Sequence, residues 1–288
     1  PMSRIAVLGT GLLGAGFAHN LLRQGHDVVV WNRTIEKTAA LVEAGATAAE
    51  NPAAAVKGAD RVHLVLTADD AVDSVIEAAR AGLAGETWVI DHSTNAPARV
   101  AERHRILRGQ GVRYVPAPVF MSPANSHEGT GLMLLAASDA DAATLVPILS
   151  TMTGQVWHVG ERPDLAAVYK IMGNGVLVSV AGLMGDLYTI GQQNDLTPDQ
   201  VDTLFENFRL GSIFPRTGGR VRNAASMDTS FALTMARKDV GLMVDAAGGP
   251  DSLTVLPAVA SAMDQAIQTG DGERDFAIMA WRTRPDEG

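Results

Sequence analysis

The run Ile5-Ala6-Val7-Leu8-Gly9-Thr10-Gly11-Leu12-Leu13-Gly14 decides the fold. Its apolar first part reads as a buried strand, and a segment of helical period follows the last glycine. A GxGxxG motif therefore stands between strand and helix. The first glycine, Gly9, permits a tight turn. Gly11 lets the backbone approach a pyrophosphate, and Gly14 lets helix and strand pack closely. The helix amides beyond, with Leu12 and Leu13, then face the phosphates. The alternative is a glycine-rich turn with no ligand. It leaves unexplained why strand, loop and helix come in the order a dinucleotide fold requires.

Outward from this loop, short β-branched runs alternate with helical segments as far as Pro116, the pattern of βαβ units around a parallel sheet. Strands are predicted at Ile5-Leu8, Val28-Trp31, Val62-Leu66, Trp88-Ile90 and Arg113-Val115. Their continuous apolar character suits a sheet covered on both faces. Met133-Ala136 and Val156-His158 are read as extending it, with a helix over Asp139-Leu149 between them. After Pro163 the pattern changes to apolar residues every three or four positions, which predicts one long helix over Asp164-Gln193. Thr197-Pro198-Asp199-Gln200 reads as a new helix start, with Thr as N-cap and Pro at the first helical position. Phe231-Ala246 and Pro257-Thr269 are helical in pattern. The expected architecture is an α/β, Rossmann-like, doubly wound parallel sheet over 1–163, followed by an all-α region over 164–288.

The 288 residues fit two domains of roughly 150 residues each. With 47% apolar and 19% charged residues and a mean hydropathy of +0.09, the chain is composed like a packed protein. The formal charge, 23 − 32 = −9, argues against nucleic acid or an anionic membrane as partner. There is no cysteine, so thiolate chemistry and disulfides are excluded and a cytoplasmic address fits. Pro1-Met2-Ser3-Arg4 lacks the regions of a signal peptide. The longest apolar stretches, such as Gly175-Met184, fall short of the ~20 residues of a membrane span, and none is expected. The seven histidines are scattered without paired spacing, so no metal site is expected.

About twenty residues past the glycine loop, where a free ribose 2′-hydroxyl usually meets Asp or Glu, the chain has Asn32-Arg33-Thr34. Arg33 supplies a cation for a 2′-phosphate and its neighbours supply uncharged donors, so NADP is predicted over NAD. A solvated surface arginine is the other reading. Lys170 and Asn174 fall one turn apart on one face of the long helix, beside Val168, Ile171 and Met172. A lysine at a dry surface loses charge stabilisation and becomes able to exchange a proton near neutral pH. By spacing alone, an exposed Lys with an Asn one turn on remains open.

In order along the chain stand the GTGLLG loop, Asp91-His92-Ser93-Thr94, Pro116-Ala117-Pro118-Val119 leading to Glu128-Gly129-Thr130, Lys170-x-x-x-Asn174, and Phe231-Ala232-Leu233 leading to Lys238-Asp239. This order resembles the β-hydroxyacid dehydrogenases, among them 3-hydroxyisobutyrate dehydrogenase and tartronate semialdehyde reductase, over nearly the whole chain. The resemblance implies that the glycine loop and Leu66-Thr67 bind the dinucleotide, and that Thr94 lies near its nicotinamide half. It also implies that Phe231 and Lys238 serve the cofactor from the second domain, and that Ser93 meets the substrate. Lys170 would be the acid/base and Asn174 its partner. Helix capping by Ser93 or Thr94, a core role for Phe231 and a surface pair for Lys238-Asp239 stand as alternatives. A homodimer or larger homo-oligomer is expected from the same likeness.

One segment departs from that family. Where Ser-Gly-Gly usually holds a substrate carboxylate, this chain has Phe120-Met121-Ser122. The change implies a weakened or relocated carboxylate site and a larger, less polar substrate. Phe120 turned into the core with the backbone unchanged is the other reading. The expected reaction transfers a hydride between C4 of the nicotinamide and the carbonyl carbon of a small semialdehyde or keto acid, with Lys170 moving the proton. Imine reductases resemble this superfamily but commonly carry Asp or Tyr in place of Lys170. A non-catalytic NADPH sensor is the alternative of another class.

Overall fold

The structure is a computed structural model and describes residues 2–208, 211 and 213–281. The elements of the first half are β1 (Arg4–Leu8), α1 (Leu12–Arg23), β2 (Asp27–Trp31), α2 (Ala39–Glu43), β3 (Thr47–Ala48), α3 (Pro52–Val56), β4 (Arg61–Leu64), α4 (Asp69–Ala79), β5 (Trp88–Asp91), α5 (Pro97–Gly109), β6 (Arg113–Pro116), β7 (Val119–Phe120), α6 (Pro123–Glu128), β8 (Leu132–Ala136), α7 (Asp139–Leu149) and β9 (Gln155–Gly160). Then come α8 (Leu165–Gln193), α9 (Pro198–Asn207), α10 (Ile213–Asn223), α11 (Leu233–Ala246) and α12 (Leu256–Gln268). Two compact units divide at Asn174 and Gly175, within α8.

In the first unit a parallel sheet of six strands runs in the order β3-β2-β1-β4-β5-β6. Alternate residues of β1 serve opposite faces. Ile5 and Val7 join one core with Phe17, Leu21, Val28 and Val30, while Ala6 and Leu8 join another with Val62, Leu64, Val72 and Ile76. Both faces are covered, which is why the strand carries no polar residue from Ile5 to Leu8.

Met133-Ala136 and Val156-His158 do not extend this sheet. They belong to a separate three-stranded sheet, β7-β8-β9, in which β7 runs antiparallel to β8 and β8 parallel to β9. The cause is Pro116-Ala117-Pro118. The two prolines have no N–H to donate, so the ladder stops at β6 and the chain turns into a new strand. Two further expectations need adjustment: β4 ends at Leu64 and not Leu66, and the two-residue strands β3 and β7 had no pattern long enough to read.

The second unit is helical, as expected. Thr197 caps α9 through a reciprocal box: its Oγ1 accepts from Gln200 N at 3.3 Å, and its N–H donates to Gln200 Oε1 at 2.8 Å. Buried Asp186 of α8 accepts from the amides of Thr254, Val255 and Leu256, the last two at 2.8 and 2.9 Å, and so caps α12. Those amide bonds outweigh burial and hold its carboxyl below the usual range. A second carboxylate, buried Asp275, pairs with Arg220 at 2.6 Å.

Helix α8 also corrects one expectation. Its 29 residues are long and apolar enough, by length and composition, to cross a membrane, and few are buried. Protein nevertheless holds it at two places: Ala166 and Ala167 are buried in the first unit, and Asp186 caps a helix of the second.

Candidate active site

All strands of the six-stranded sheet are parallel, so their carboxyl ends share one edge, where such sheets bind ligands. The glycine loop follows β1, Asn32-Arg33-Thr34 follows β2, Leu66-Thr67 follows β4 and Ser93-Thr94 follows β5. The fold thus brings these four segments to the same edge. The order β3-β2-β1 reverses between β1 and β4, and the glycine loop sits at that reversal.

The loop has the local geometry that a pyrophosphate requires. Gly9 has a φ of +99°, and a Cβ there would run into the Val65 carbonyl oxygen. A Cβ at Gly14 would meet the Gly9 carbonyl oxygen. At Gly11, by contrast, a Cβ would meet nothing within 4 Å. Two glycines are therefore needed by the fold, and the third faces open space beside the first turn of α1, which holds no acidic residue. Leu12 is 80% exposed at this terminus and Leu13 is half-buried. The cradle fits a dinucleotide.

Arg33 is exposed and forms no ion pair among the described residues, leaving its guanidinium available at the end of β2. Thr34 is exposed beside it. Asn32, expected to be a ligand donor, is instead a brace. Its Oδ1 accepts from Thr10 N at 3.1 Å and its Nδ2 donates to the Thr34 carbonyl at 2.9 Å, tying the glycine loop to the loop after β2.

Ser93 also departs from expectation. It is buried, and its Oγ accepts from Leu66 N at 3.0 Å, so it shapes the Leu66-Thr67 loop and does not project outward. Thr94 and Thr67 are exposed, and Leu66 is half-buried. Neither Ser93 nor Thr94 caps α5, whose N-cap is Ala96. Beneath them lies a network that sequence reasoning missed. Buried Asp91 accepts from Ser93 N, Asn95 Nδ2 and Tyr114 Oη at 2.9, 2.8 and 2.8 Å. Burial pushes its carboxyl up, against these hydrogen bonds and Arg103, which favour the charged form.

A second missed group is a chain of buried histidines. Arg61 Nε can only donate, so His63 Nε2, 3.2 Å away, accepts. His63 therefore carries its proton on Nδ1 and donates to His92 Nε2 at 2.9 Å, and His92 Nδ1 donates to the Ala117 carbonyl at 2.7 Å. Both rings are neutral. Burial lowers His92 to about 4 and puts His63 well below its ordinary value. The chain ends at the backbone just before Phe120.

Phe120, Met121, Ser122, Lys170 and Asn174 lie in the same unit. Lys170 Nζ donates to Asn174 Oδ1 at 3.0 Å and stands 4.3 Å from the centroid of the Phe120 ring. The lysine is half-buried, and desolvation lowers its pKa. Ser122, expected to contact substrate, is committed to capping α6. Its N–H and hydroxyl donate to Asn125 Oδ1 at 2.9 and 2.8 Å, and its Oγ accepts from Asn125 N at 3.2 Å. Met121 packs against the first core.

Phe231 and Lys238 lie in the second unit. Phe231 is 39% exposed, with its ring edge-on to Phe276 at 5.8 Å. Lys238 is exposed and pairs with Asp239 at 3.1 Å, the surface pair that was its alternative reading.

The strand order, the glycine cradle at its reversal and the free cation after β2 define a dinucleotide-binding α/β protein. Residues 4–160 match the NAD binding domain of 6-phosphogluconate dehydrogenase. The chain is 30% identical to the NAD-dependent L-serine dehydrogenase of Pseudomonas aeruginosa over 100% of both chains. It is 26% identical to the 3-sulfolactaldehyde reductase of Escherichia coli over 100% of this chain and 98% of that protein. In fold it is similar to the solved imine reductase of Myxococcus stipitatus in complex with NADP+, with a TM-score of 0.82 and 21% identity over 97% of this chain and 99% of that one. The chain belongs to the β-hydroxyacid dehydrogenase family and is an NAD(P)-binding oxidoreductase acting on CH–OH groups.

Proposed function

We propose that the protein is an NADP-dependent enzyme interconverting a small hydroxy acid, or a related alcohol, with its semialdehyde or keto form, and that Lys170 is its general acid/base. The observation that carries this reading is the half-buried Lys170 ammonium, 3.0 Å from Asn174 Oδ1 and with its pKa lowered by desolvation. When bound, the nicotinamide supplies or takes up the hydride at C4. In reduction, Lys170 Nζ gives one proton to the carbonyl oxygen as negative charge develops there, and solvent returns a proton to the neutral amine. In oxidation, the amine takes the hydroxyl proton. Asn174 orients the ammonium through its Oδ1. The open face at Gly11 receives the pyrophosphate, and the unpaired Arg33 favours a 2′-phosphate. Thr67 and Thr94 extend the cofactor surface at the same sheet edge, and Phe231 and Lys238 are assigned to its far side by family likeness.

A second reading, imine reduction, is favoured by one observation: an aromatic ring, not a carboxylate cradle, stands beside Lys170. We also infer a homodimer built on α8, whose Ile171, Met172, Val176, Leu177, Val178, Val180 and Leu183 are exposed around most of the helix circumference.

The test is NADPH consumption with succinic semialdehyde, glyoxylate and a cyclic imine, for the wild type and Lys170→Met. The wild type is expected to turn over an aldehyde, and the variant to lose about 10²–10⁴-fold in kcat with the Kd for NADPH unchanged. Retention of carbonyl reduction by the variant would reject the role of Lys170. Turnover of the imine alone would favour the second reading, and NADPH binding without any turnover would favour a sensor. Arg33→Ala should raise the Kd for NADPH about tenfold or more and leave NADH binding nearly unchanged.

A further inference from the structure

We propose that Phe120 and Gly173 form a matched pair that positions Lys170 and sets substrate class: the ring seats on the helix where position 173 has no side chain, and presents an apolar wall in place of a carboxylate cradle. The proposal rests on the reading of Lys170 as proton donor.

The pair follows from two local geometries. In β7, Val119 and Phe120 point to opposite faces, as consecutive strand residues must. Val119 enters the first core, and Phe120 packs with Leu134, Ala136, Ala166 and Tyr169. On α8, positions 170, 173 and 174 share one face. A Cβ at Gly173 would meet Cζ and Cε1 of the Phe120 ring, so any residue other than glycine displaces the ring. With glycine there, the ring tip abuts the helix backbone and the ring lies 4.3 Å from Lys170 Nζ. The ammonium is thus located by two contacts, the π-face of Phe120 and the Oδ1 of Asn174.

The same ring shapes what can approach. A substrate carboxylate needs donors on its own side of the site. Both donors of Ser122 are used by Asn125, whose Nδ2 in turn donates to Thr130 Oγ1 at 2.8 Å. Phe120 has no donor on its side chain. The segment that follows β6 therefore favours a carbonyl compound carrying an apolar group at this side over one carrying a carboxylate there, so that a hydroxy-acid substrate must hold its carboxylate elsewhere.

The ring and the hydrogen bond favour the charged amine, while burial opposes it; no charged neighbour contributes to the shift. The titratable groups on the elements packed around this face are Tyr169, whose ring is tilted at 45° to that of Trp157 with centroids 4.8 Å apart, and His158, whose Nε2 lies 2.7 Å from the Ala137 carbonyl. Neither is bonded to Lys170 among the described contacts.

The sequence has four lysines, Lys37, Lys57, Lys170 and Lys238, so the Lys170 Cε signal of ¹³C-lysine-labelled protein can be assigned by its loss in Lys170→Met and its titration followed without turnover. Phe120→Leu keeps the site dry but removes the π-face, and should lower the Lys170 pKa by about half a unit. Phe120→Ser admits water and should raise it. Gly173→Ala should lower kcat, with the Kd for NADPH unchanged, and Phe120→Leu in the same chain should restore it. In the wild type, kcat/KM for butanal should exceed that for glyoxylate, and Phe120→Ser should move the ratio at least about tenfold toward glyoxylate. Identical titrations in the three proteins, no rescue of Gly173→Ala and an unchanged ratio would overturn the proposal while leaving Lys170 as acid. Full activity of Lys170→Met would instead remove the reading beneath it.

Discussion

At the scale of single residues, the three glycines of one motif do different work. Gly9 and Gly14 face backbone oxygens and Gly11 faces open space. Gly11→Ala should therefore change the melting temperature little but weaken NADPH binding about tenfold or more, because its methyl occupies the approach to the pyrophosphate. Gly9→Ala must place Cβ on a carbonyl oxygen at a left-handed φ, and should lose folding as well as binding. Calorimetry with a binding titration separates the two. Equal loss of stability in both variants would show that Gly11 serves the fold. The placement of the glycine loop between β1 and α1, of Arg33 after β2 and of Lys170 one turn from Asn174 was legible in the sequence, because motif order or helical spacing fixes those positions. The bonds that Asn32, Ser93 and Ser122 make within the protein were not. Each is a short polar side chain that bonds to main-chain groups close by, and whether it faces ligand or backbone depends on a loop's path, which residue type does not encode.

Among elements, the long strands and helices were legible because each carries several turns or alternations of pattern. The second sheet was not: β7 has two residues, and its pairing follows from what two prolines forbid, not from periodicity. Nor was the histidine chain visible. His63 lies within β4 and His92 just past the end of β5, and only the register of those strands brings them together. The chain ties β4, β5 and the turn before β7 into one rigid support, with a pH dependence of definite sign. Above pH 6.5 both rings are neutral, folded or not. Below it the unfolded chain binds protons that the folded chain refuses, since His92 is held at about 4 and His63 also lies well below its ordinary value. Stability should thus decline as pH falls from 6.5 toward about 4. His92→Leu should cost roughly 1–3 kcal/mol at pH 7.5, because it leaves the His63 Nδ1–H without its acceptor, and should make the acid decline shallower. Denaturant titrations across that range would check both. A slope as steep as that of the wild type would exclude His92 as a source.

Over the whole molecule, the exposed apolar surface around the middle of α8 is the feature that asks for a partner. A bilayer is a poor one for a chain of net charge −9 whose long helix is held by protein contacts at Ala166 and Asp186. A second copy would cover this surface with its like. Light scattering should give a dimer or a larger assembly. Val178→Asp, at a position 70% exposed, should yield monomers with intact helical content. A wild-type monomer at micromolar concentration would reject the assembly. Such a surface also imposes a race on newly made chains. A polypeptide that has formed α8 but met no mate exposes sticky surface to every other unfinished copy. Recovery after dilution from urea should therefore peak at an intermediate concentration, limited below by slow encounter and above by precipitation.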